Sequence, residues 1–419
     1  MSNLLARVTA LALAAKKASR ALALAPTAVR DQALRAAAAA LRADEPAILA
    51  ANAEDLGLAR AKGLAEAMVD RLRLDPTRLE AIAVACEDVA KLPDPVGEVT
   101  EDWTRPNGLR IVRRRVPIGL VAIIFESRPN VTVDAAALCL KSGNGCVLRG
   151  GSEALRTNLA LARAFGAGLR AAGLPAEAVT LLPFTDREAV PALGSLRGIV
   201  DIIVPRGGPG LIEAVVNSAK VPVIKHDAGI CHVYVHARAD LAKALPIIVN
   251  AKCQRPSACN AAETVLVDAA IAPTFLPGLA AALAARQTEV RADARALVLM
   301  PGARAATEAD FRTEHLALIL NVKVVADLAE AVDHIETCGS HHSDAILTED
   351  EAAARSFLAQ VDSACVYWNA STRFTDGGEF GFGAEVGIST DRLHARGPMG
   401  IRELTTWKFE ITGQGQVRS

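Results

Sequence analysis

From residue 119 onward the sequence alternates between short apolar runs and segments with helical periodicity, and this alternation restricts the fold more than any other feature. Each run is too short to be a helix of ordinary length, and a helical segment separates it from the next. Runs of this kind predict a parallel sheet that helices cover on both faces. In the first half of the chain the runs are VAIIF (121–125), CVLRG (146–150), VTLLPF (179–184), VDIIVP (200–205) and VPVI (221–224).

A second series of the same kind begins near residue 233, so the sequence predicts two α/β domains. A helical lead-in over residues 1–92 precedes both series. We place the first domain at 1–102 and 119–230, and the second at 231–395. The strands predicted for the second domain are ETVLVD (263–268), NVKVV (321–325), DAILT (344–348) and CVYWN (365–369).

Two strand-like segments lie outside both series. They are GLRIVRRRVPIG (108–119) and WKFEITG (407–413), and we assign them to a small ribbon formed by residues 103–118 and 396–419. Each segment has strand edges that need a hydrogen-bonding partner, and a second copy of the chain is the simplest way to cover them. The sequence therefore predicts a homo-oligomer with at least two subunits.

Composition excludes several classes of protein. The net charge of −1 gives no overall positive field for nucleic acid, and no stretch of 18 strongly apolar residues predicts a membrane span. The N-terminal segment lacks the charged-then-apolar order of an export signal, so we expect a cytoplasmic protein. None of the eight cysteines forms a CxxC pair, so we predict neither a disulfide framework nor a metal site.

Three of the predicted strands end in motifs suited to ligands, which bind beyond the carboxyl ends of parallel strands. The motifs are ESRPN, RGGSE and PRGGPG. PRGGPG joins a strand to a helix, where backbone N–H groups and the helix dipole can receive a phosphate. In RGGSE, Arg149 and Ser152 suit a ribose that carries a 2′-phosphate, which a carboxylate would repel. These motifs together favour a dinucleotide cofactor, NADP(H) rather than NAD(H).

Cys259 lies in the polar loop QRPSACNAAET (254–264), between a predicted helix and a predicted strand. A thiolate nucleophile needs such an exposed loop, with backbone amides or cations nearby, and Lys252 and Arg255 are close in sequence. Cys253 continues the preceding helix and is expected to be its buried or frayed end. On the residues alone, a purely structural role for Cys259 stays open.

Four segments in this order resemble the γ-glutamyl phosphate reductase family of the aldehyde dehydrogenase superfamily. The resemblance extends from the helical lead-in to about residue 410. The segments are IGLVAIIFESRPNVTVDAAALCLKSGNGCVLRGGSEA, VDIIVPRGGPGLIEAVV, KCQRPSACNAAET and FGAEVGISTDRLHARGPMGIRELTTWK. The resemblance implies an aldehyde-dehydrogenase-like fold, with a Rossmann-like cofactor domain, a catalytic domain and an oligomerisation ribbon.

The resemblance also implies roles for individual residues. Cys259 matches the catalytic thiol, and Asn130 matches the side-chain donor to the oxyanion, which would act with the Cys259 backbone N–H. Glu314 matches the residue that holds the nicotinamide ribose. The other implied cofactor contacts are Arg149, Gly150, Ser152, Gly207 and Gly208. For the substrate's α-carboxylate, the sequence offers arginines that it does not rank firmly: Arg128, Arg255, Arg373 and Arg396.

One departure from the wider superfamily bears on the reaction. Hydrolytic aldehyde dehydrogenases carry a glutamate some thirty residues before the cysteine, whereas the corresponding stretch here reads IKHDAGICH. An enzyme that forms its thioester from an acyl phosphate has no use for a base that activates water. Asp227 could still occupy that place, so its role as a base stays open.

The implied activity is NADPH-dependent reduction of L-glutamyl 5-phosphate to L-glutamate 5-semialdehyde in proline biosynthesis. The resemblance also suggests functional coupling to glutamate 5-kinase. One alternative is another acyl-phosphate or aldehyde dehydrogenase of the same superfamily. The other is a cofactor-binding regulatory subunit without turnover, which would have no need of Cys259, Asn130 and Glu314 together.

Overall fold

The computed structural model describes residues 2–225 and 228–418. The chain divides into two compact units. The first unit consists of Met1–Lys225, Gly381–Gly387 and Met399–Ser419, and the second of His226–Phe380 and Ile388–Pro398. Asp227, the residue whose role as a base the sequence left open, lies outside the described residues.

The first unit opens with the helical lead-in that the sequence predicts. Asp75 accepts a hydrogen bond from the Arg78 N–H and so caps α5, and Pro76 occupies the first turn, where its missing N–H costs nothing. The helices of the lead-in are α1 (Ser2–Leu24), α2 (Thr27–Ala43), α3 (Glu45–Ala61), α4 (Glu66–Leu72) and α5 (Pro76–Lys91).

A parallel four-stranded sheet follows, and its strands are largely buried, as the apolar runs predict. The strands of this part of the chain are β1 (Val99–Thr104), β2 (Arg110–Pro117), β3 (Leu120–Phe125), β4 (Gly145–Arg149), β5 (Val179–Leu181) and β6 (Ile202–Arg206). The sheet has the order β5-β4-β3-β6. The helices around it are α6 (Val131–Lys141), α7 (Leu155–Ala171), α8 (Ala189–Gly194) and α9 (Pro209–Ser218).

The run VPVI is not a regular strand, and this part of the prediction is wrong. Val223 forms an isolated bridge with Ile203 instead. The Ile203 N–H donates to the Pro222 carbonyl, and the Ile224 N–H donates to the Ile203 carbonyl. Pro222 has no N–H with which to extend such a ladder.

The second unit contains a parallel seven-stranded sheet in the order β10-β9-β11-β8-β7-β12-β13. Its strands are β7 (Cys231–Val235), β8 (Ala262–Asp268), β9 (Glu289–Ala292), β10 (Arg304–Ala305), β11 (Ile319–Val325), β12 (Ser343–Leu347) and β13 (Cys365–Trp368), with a separate antiparallel pair β14 (Ile388–Ser389) and β15 (Gly397–Pro398). Its helices are α10 (Leu241–Cys253), α11 (Ala272–Ala284), α12 (Ala294–Leu297), α13 (Leu328–Cys338) and α14 (Glu351–Gln360). The sequence missed β9 and β10, because both are short and carry arginine.

The two segments outside the α/β series pair with each other. β16 (Thr405–Thr412) lies antiparallel to β2, and β1 covers the other edge of β2. The Arg113 guanidinium stacks 3.9 Å from the Trp407 ring centroid, and the Trp103 and Phe409 rings meet edge to face. The ribbon therefore begins at Val99 rather than at residue 103, and its outer edges are β1 and β16.

The contacts divide the chain at slightly different places from the sequence prediction. The second unit begins at His226 rather than at residue 231, and the three-stranded ribbon belongs to the first unit. None of the helices in the described residues is long and apolar enough to cross a membrane.

Candidate active site

In the first unit, the strand order reverses between β3 and β6, and the motifs ESRPN and PRGGPG begin at the carboxyl ends of these two strands. Parallel sheets bind ligands at such switch points. The turn that precedes α9 carries a carboxylate here, because the Gly208 N–H donates to Glu126 Oε2 at 3.3 Å. A Cβ atom at Gly207 would lie 2.5 Å from that oxygen and 2.6 Å from Leu211 Cδ2, so a larger residue would require these two side chains to move. The predicted phosphate turn therefore holds an anionic group at present, and a bound phosphate would displace it.

Arg149 makes contacts that the sequence did not indicate. The residue is buried, and its Nη2 donates to the carbonyl oxygens of Thr185 and Asp186, at 3.0 and 3.4 Å. Arg149 thus holds the loop that follows β5. Its Nε has no partner among the described residues, and burial lowers the pKa of its guanidinium. One donor of this side chain remains for a ligand.

Ser152 is exposed and lines a cavity of the first unit together with Lys62, Glu126 and Glu153. The carboxylate of Glu153 is already engaged, since its Oε1 accepts hydrogen bonds from the Ser127 N–H at 2.6 Å and from the Ser127 hydroxyl at 2.8 Å. Ser127 has a φ of 48°, in the left-handed region. Glu153 therefore stabilises the strained turn of the ESRPN motif.

Asn130 directly precedes α6 and is half-buried. Its side-chain Nδ2 donates to Asp134 Oδ2 at 2.8 Å. Arg128, in the same motif, is exposed.

In the second unit, Cys259 is half-buried in the loop between α10 and β8. Two consecutive turns shape this loop. The Ala258 N–H donates to the Arg255 carbonyl, and the Ala261 N–H donates to the Ala258 carbonyl. Asn260 fastens it, because its Nδ2 donates to the Thr375 carbonyl at 2.9 Å. The backbone at the candidate nucleophile is therefore fixed on both sides.

Gly229 lies directly against Cys259. A Cβ atom at this position would be 2.0 Å from the Cys259 carbonyl oxygen, so only glycine allows the approach. The Cys231 thiol donates to the same oxygen at 3.3 Å. Glu314 accepts a hydrogen bond from the Gly229 N–H, and burial raises the pKa of Glu314. The second unit thus brings together two of the sequence-predicted residues, Cys259 and Glu314, on either side of Gly229.

These residues lie at the amino ends of their strands rather than at the carboxyl ends. Gly229 precedes β7, Cys259 precedes β8 and Glu314 precedes β11, and these three strands are neighbours in the order β11-β8-β7. The rule that places ligands beyond the carboxyl ends therefore fits the motifs of the first unit but not those of the second.

Cys253 is the last residue of α10, as predicted. It packs against the core of the second unit, and its sulfur lies 3.4 Å from the Thr288 hydroxyl.

A buried ion pair, which the sequence analysis missed, flanks the Cys259 loop. Lys252 and Glu263 are both fully buried, and Lys252 Nζ donates to Glu263 Oε2 at 2.7 Å. Glu263 Oε1 also accepts the N–H of Leu316, two residues after Glu314. Burial raises the pKa of Glu263 to about 7, although Lys252 opposes the shift. The signal was an acidic residue at the start of an otherwise apolar strand.

The candidate arginines differ in their surroundings. Arg255 is an exposed residue of the Cys259 loop. Arg373 Nε donates to the side-chain oxygen of Gln254, in the same loop, at 2.9 Å. Burial and the charge of Arg255 lower the pKa of Arg373, whereas Cys259 raises it. Arg396 instead binds Asp362, through Oδ1 at 2.6 Å and the carbonyl at 2.7 Å. Among the described residues, no group of three His, Cys, Asp or Glu side chains is arranged to hold a metal ion.

Comparison with known proteins gives consistent results. Residues 5–300 match the aldehyde dehydrogenase family. The chain is similar to the γ-glutamyl phosphate reductase of Rhodospirillum rubrum, with 55% identity over 404 residues that cover 96% of this chain and 95% of that one. It is 57% identical over 405 residues to the enzyme of the same name from Methylobacterium sp. strain 4-46, covering 96% of this chain and 94% of the relative.

Solved structures extend the comparison to the fold. The γ-glutamyl phosphate reductase of Thermotoga maritima superimposes with a TM-score of 0.97 at 47% identity, covering 98% of this chain and 100% of that one. An acetylating aldehyde dehydrogenase from Geobacillus thermoglucosidasius gives a TM-score of 0.68 at 19% identity, over 100% of this chain and 98% of that one. The predicted aldehyde-dehydrogenase-like α/β fold is confirmed.

Proposed function

The chain belongs to the γ-glutamyl phosphate reductases of the aldehyde dehydrogenase family, and we propose on this basis that it reduces L-glutamyl 5-phosphate to L-glutamate 5-semialdehyde and phosphate. The observation that carries the proposal is the fixed Cys259 loop, seated on Gly229 with Glu314 on the other side of that glycine. This arrangement suits a thiol nucleophile next to a cofactor site.

In the proposed mechanism, the Cys259 thiolate attacks the acyl carbon of the substrate and expels phosphate, which leaves a thioester. NADPH, when bound, supplies the hydride that reduces this thioester. The resulting tetrahedral species collapses to the aldehyde and restores the thiolate. We propose Asn130 and the Cys259 backbone N–H as donors to its oxyanion. Arg255 and Arg373, which lie beside the Cys259 loop, are our proposed partners for the substrate's carboxylate.

The chain's residues fit a nicotinamide dinucleotide. Gly207 and Gly208 form an N-terminal helix turn that already holds the Glu126 carboxylate, so the turn attracts anions. Arg149 Nε is buried without a partner among the described residues, and Ser152 is exposed beside it in sequence. We propose that these residues, with Gly150, hold the phosphates and the adenosine ribose, and that Glu314 holds the nicotinamide ribose.

We further propose NADP(H) as the preferred cofactor. Ser152 places no carboxylate at its own position, the nearby Glu153 is engaged by Ser127, and Lys62 lines the same cavity as Ser152. Carboxylates of Asp55, Glu126 and Glu153 also line that cavity, so a 2′-phosphate there would depend on the Lys62 charge to offset their repulsion. The test is Lys62→Ala, which should raise the KM for NADPH about tenfold and leave the KM for NADH unchanged. The control is Arg60→Ala, which removes an exposed cation from the last turn of α3, two residues before Lys62. An equal effect on both cofactors would contradict the assignment.

The activity itself is tested by oxidation of glutamate 5-semialdehyde with phosphate present or omitted. We expect turnover that depends on phosphate, because the reverse reaction must form an acyl phosphate. Turnover without phosphate would favour a hydrolytic aldehyde dehydrogenase, and cofactor binding without any turnover would favour a regulatory subunit. We propose that this biosynthetic enzyme acts in the cytoplasm and that it is a homo-oligomer. We also propose that glutamate 5-kinase supplies its substrate.

A further inference from the structure

The peptide backbone that carries Asn130 is fixed by the first turn of α6. The N–H groups of Val133 and Asp134 both donate to the Asn130 carbonyl, at 2.9 and 3.0 Å. The residues that follow along α6 are mostly buried. What remains free at residue 130 is the orientation of its side-chain amide, which can exchange its oxygen and nitrogen by rotating half a turn.

Asp134 removes that freedom. Its Oδ2 accepts the hydrogen bond from Asn130 Nδ2 at 2.8 Å, one helical turn further along. An ionised carboxylate only accepts hydrogen bonds, so the amide must turn its nitrogen toward Asp134 and its oxygen away. One N–H of Nδ2 is then used, and the second N–H of the same nitrogen is held in a defined direction.

The burial of Asp134 makes its hydrogen bond with Asn130 important for keeping the carboxylate ionised. Burial raises the pKa of Asp134 to about 6, and the bond from Asn130 and the charge of Arg206 both oppose the shift. Asp134 is therefore mainly ionised at neutral pH although its position disfavours the charge. Among the described residues, the bond from Asn130 is the hydrogen bond that its side chain accepts. A half-buried carboxylate whose one hydrogen-bond donor among the described residues is Asn130 suggests that the two side chains act together.

We propose that Asp134 is the positioning residue for the Asn130 amide, holding Nδ2 in the orientation that leaves one N–H for the substrate's oxyanion. This inference rests on the role proposed for Asn130 above. Without the carboxylate, the amide turns its oxygen to the reacting centre in part of the molecules, where it would repel developing negative charge. The binding of cofactor and the reactivity of the thiol do not depend on this orientation.

The experiment compares Asp134→Leu, Asp134→Asn, Asn130→Ala and the double variant Asn130→Ala/Asp134→Leu. Leucine has nearly the shape of aspartate but no acceptor, whereas asparagine keeps a carbonyl oxygen for the same N–H. For each variant we would measure kcat, the KM for NADPH, the rate of Cys259 alkylation by iodoacetamide and the melting temperature. Asp31→Asn is the structural control, because Asp31 pairs with Lys141 at the other end of α6, at 2.6 Å.

We expect Asp134→Leu to lower kcat about tenfold or more, with the KM for NADPH and the alkylation rate unchanged. Asp134→Asn should recover kcat to within about threefold of the original chain, and the double variant should be no slower than Asn130→Ala. Asp31→Asn should lower the melting temperature and preserve kcat.

Different results would overturn the role of Asp134 and the role of Asn130. Full kcat in Asp134→Leu while Asn130→Ala is slow, or losses that multiply in the double variant, would overturn the positioning role and leave the proposed function intact. Full kcat in Asn130→Ala would remove the oxyanion role of Asn130 and the present inference with it.

Discussion

Cys259 and Cys253 are close in sequence but occupy different surroundings. Cys259 lies in a loop fastened by Asn260 and seated on Gly229, and Cys253 ends α10 against the core. A loop thiol with backbone amides and cations nearby is suited to act as a nucleophile, whereas a thiol that packs against apolar side chains is typically structural. The loop composition favoured Cys259 over Cys253 as the nucleophile and left a structural role for Cys259 open. The close approach of Gly229 could not be read from the sequence, because that contact joins distant segments.

We expect Cys259→Ser to abolish nearly all turnover and to leave NADPH binding close to normal, because the thiol acts only in the chemistry. Cys253→Ser, the matched control, should keep most of the rate and lose at most some stability. Iodoacetamide labelling followed by peptide mapping provides the second measurement. Substantial turnover in Cys259→Ser, or labelling of Cys253 alone, would show that the loop is misassigned.

Because of His334, we expect the folded chain to lose stability in acid. It is buried, and its Nδ1 lies 3.1 Å from Lys323 Nζ, so that nitrogen accepts a bond in the neutral ring. Burial, then the neighbouring His232 and Lys323, lower the pKa of His334 to about 3. The unfolded chain binds this proton at an ordinary pKa of about 6.5, so its contribution to stability is present above that pH and is lost as the pH falls toward 3.

The measurement is the melting temperature between pH 7 and pH 4. We expect a steep decline that His334→Gln makes shallower, because glutamine cannot take up the proton. His236→Gln, which replaces a half-buried histidine of the same unit, should leave the slope unchanged. The prediction fails if both variants decline as the original chain does.

At the scale of helices and strands, apolar runs predicted most of the two parallel sheets, because a strand covered on both faces must be apolar throughout. Apolar runs did not predict the segments whose structure depends on a pairing strand or an ionic partner more than on burial. The largely exposed VTEDWT of β1 pairs with β2 although only two of its six residues are apolar, and VPVI contains a proline that prevents regular pairing. Glu263 was missed because a charge in a buried strand makes sense only when the partner on another element is known.

The Lys252–Glu263 pair links the end of α10 to the start of β8 and should be costly to break. We expect Lys252→Met to lower the free energy of unfolding by about 3–5 kcal/mol, since a buried carboxylate loses its partner. Urea unfolding measures this change. Lys243→Met replaces an exposed lysine of the same helix and removes its ion pair with Glu349. This change should cost far less stability, because solvent screens the pair. An equal loss of unfolding free energy in the two variants would contradict a larger contribution from the buried pair.

At the scale of the whole molecule, the sequence predicted that two strand-like segments have edges to cover, and the structure partly answers this within one chain. β2 is paired on both sides, so the remaining outer edges are those of β1 and β16. β16 also exposes apolar side chains, with Phe409 54% and Ile411 62% accessible. An exposed strand edge with apolar residues is typical of a surface that pairs with another chain.

We therefore expect light scattering at micromolar concentration to give at least a dimer. Ile411→Lys should shift the mass toward the monomer, because it places a charge on the outer strand. Val298→Lys replaces an exposed apolar residue of the second unit and should not change the mass. A monomeric mass for the unaltered chain would refute the assembly.

The pairing of β16 with β2 has a consequence for how the chain is made. During synthesis the residues of β2 emerge before the strands of both parallel sheets, whereas Thr405–Thr412 emerge only after them. Domains tend to fold in order from the N-terminus as the ribosome releases them. Here one edge of β2 stays open until both parallel sheets have been translated, so a nascent chain that stalls before residue 405 carries an unprotected strand.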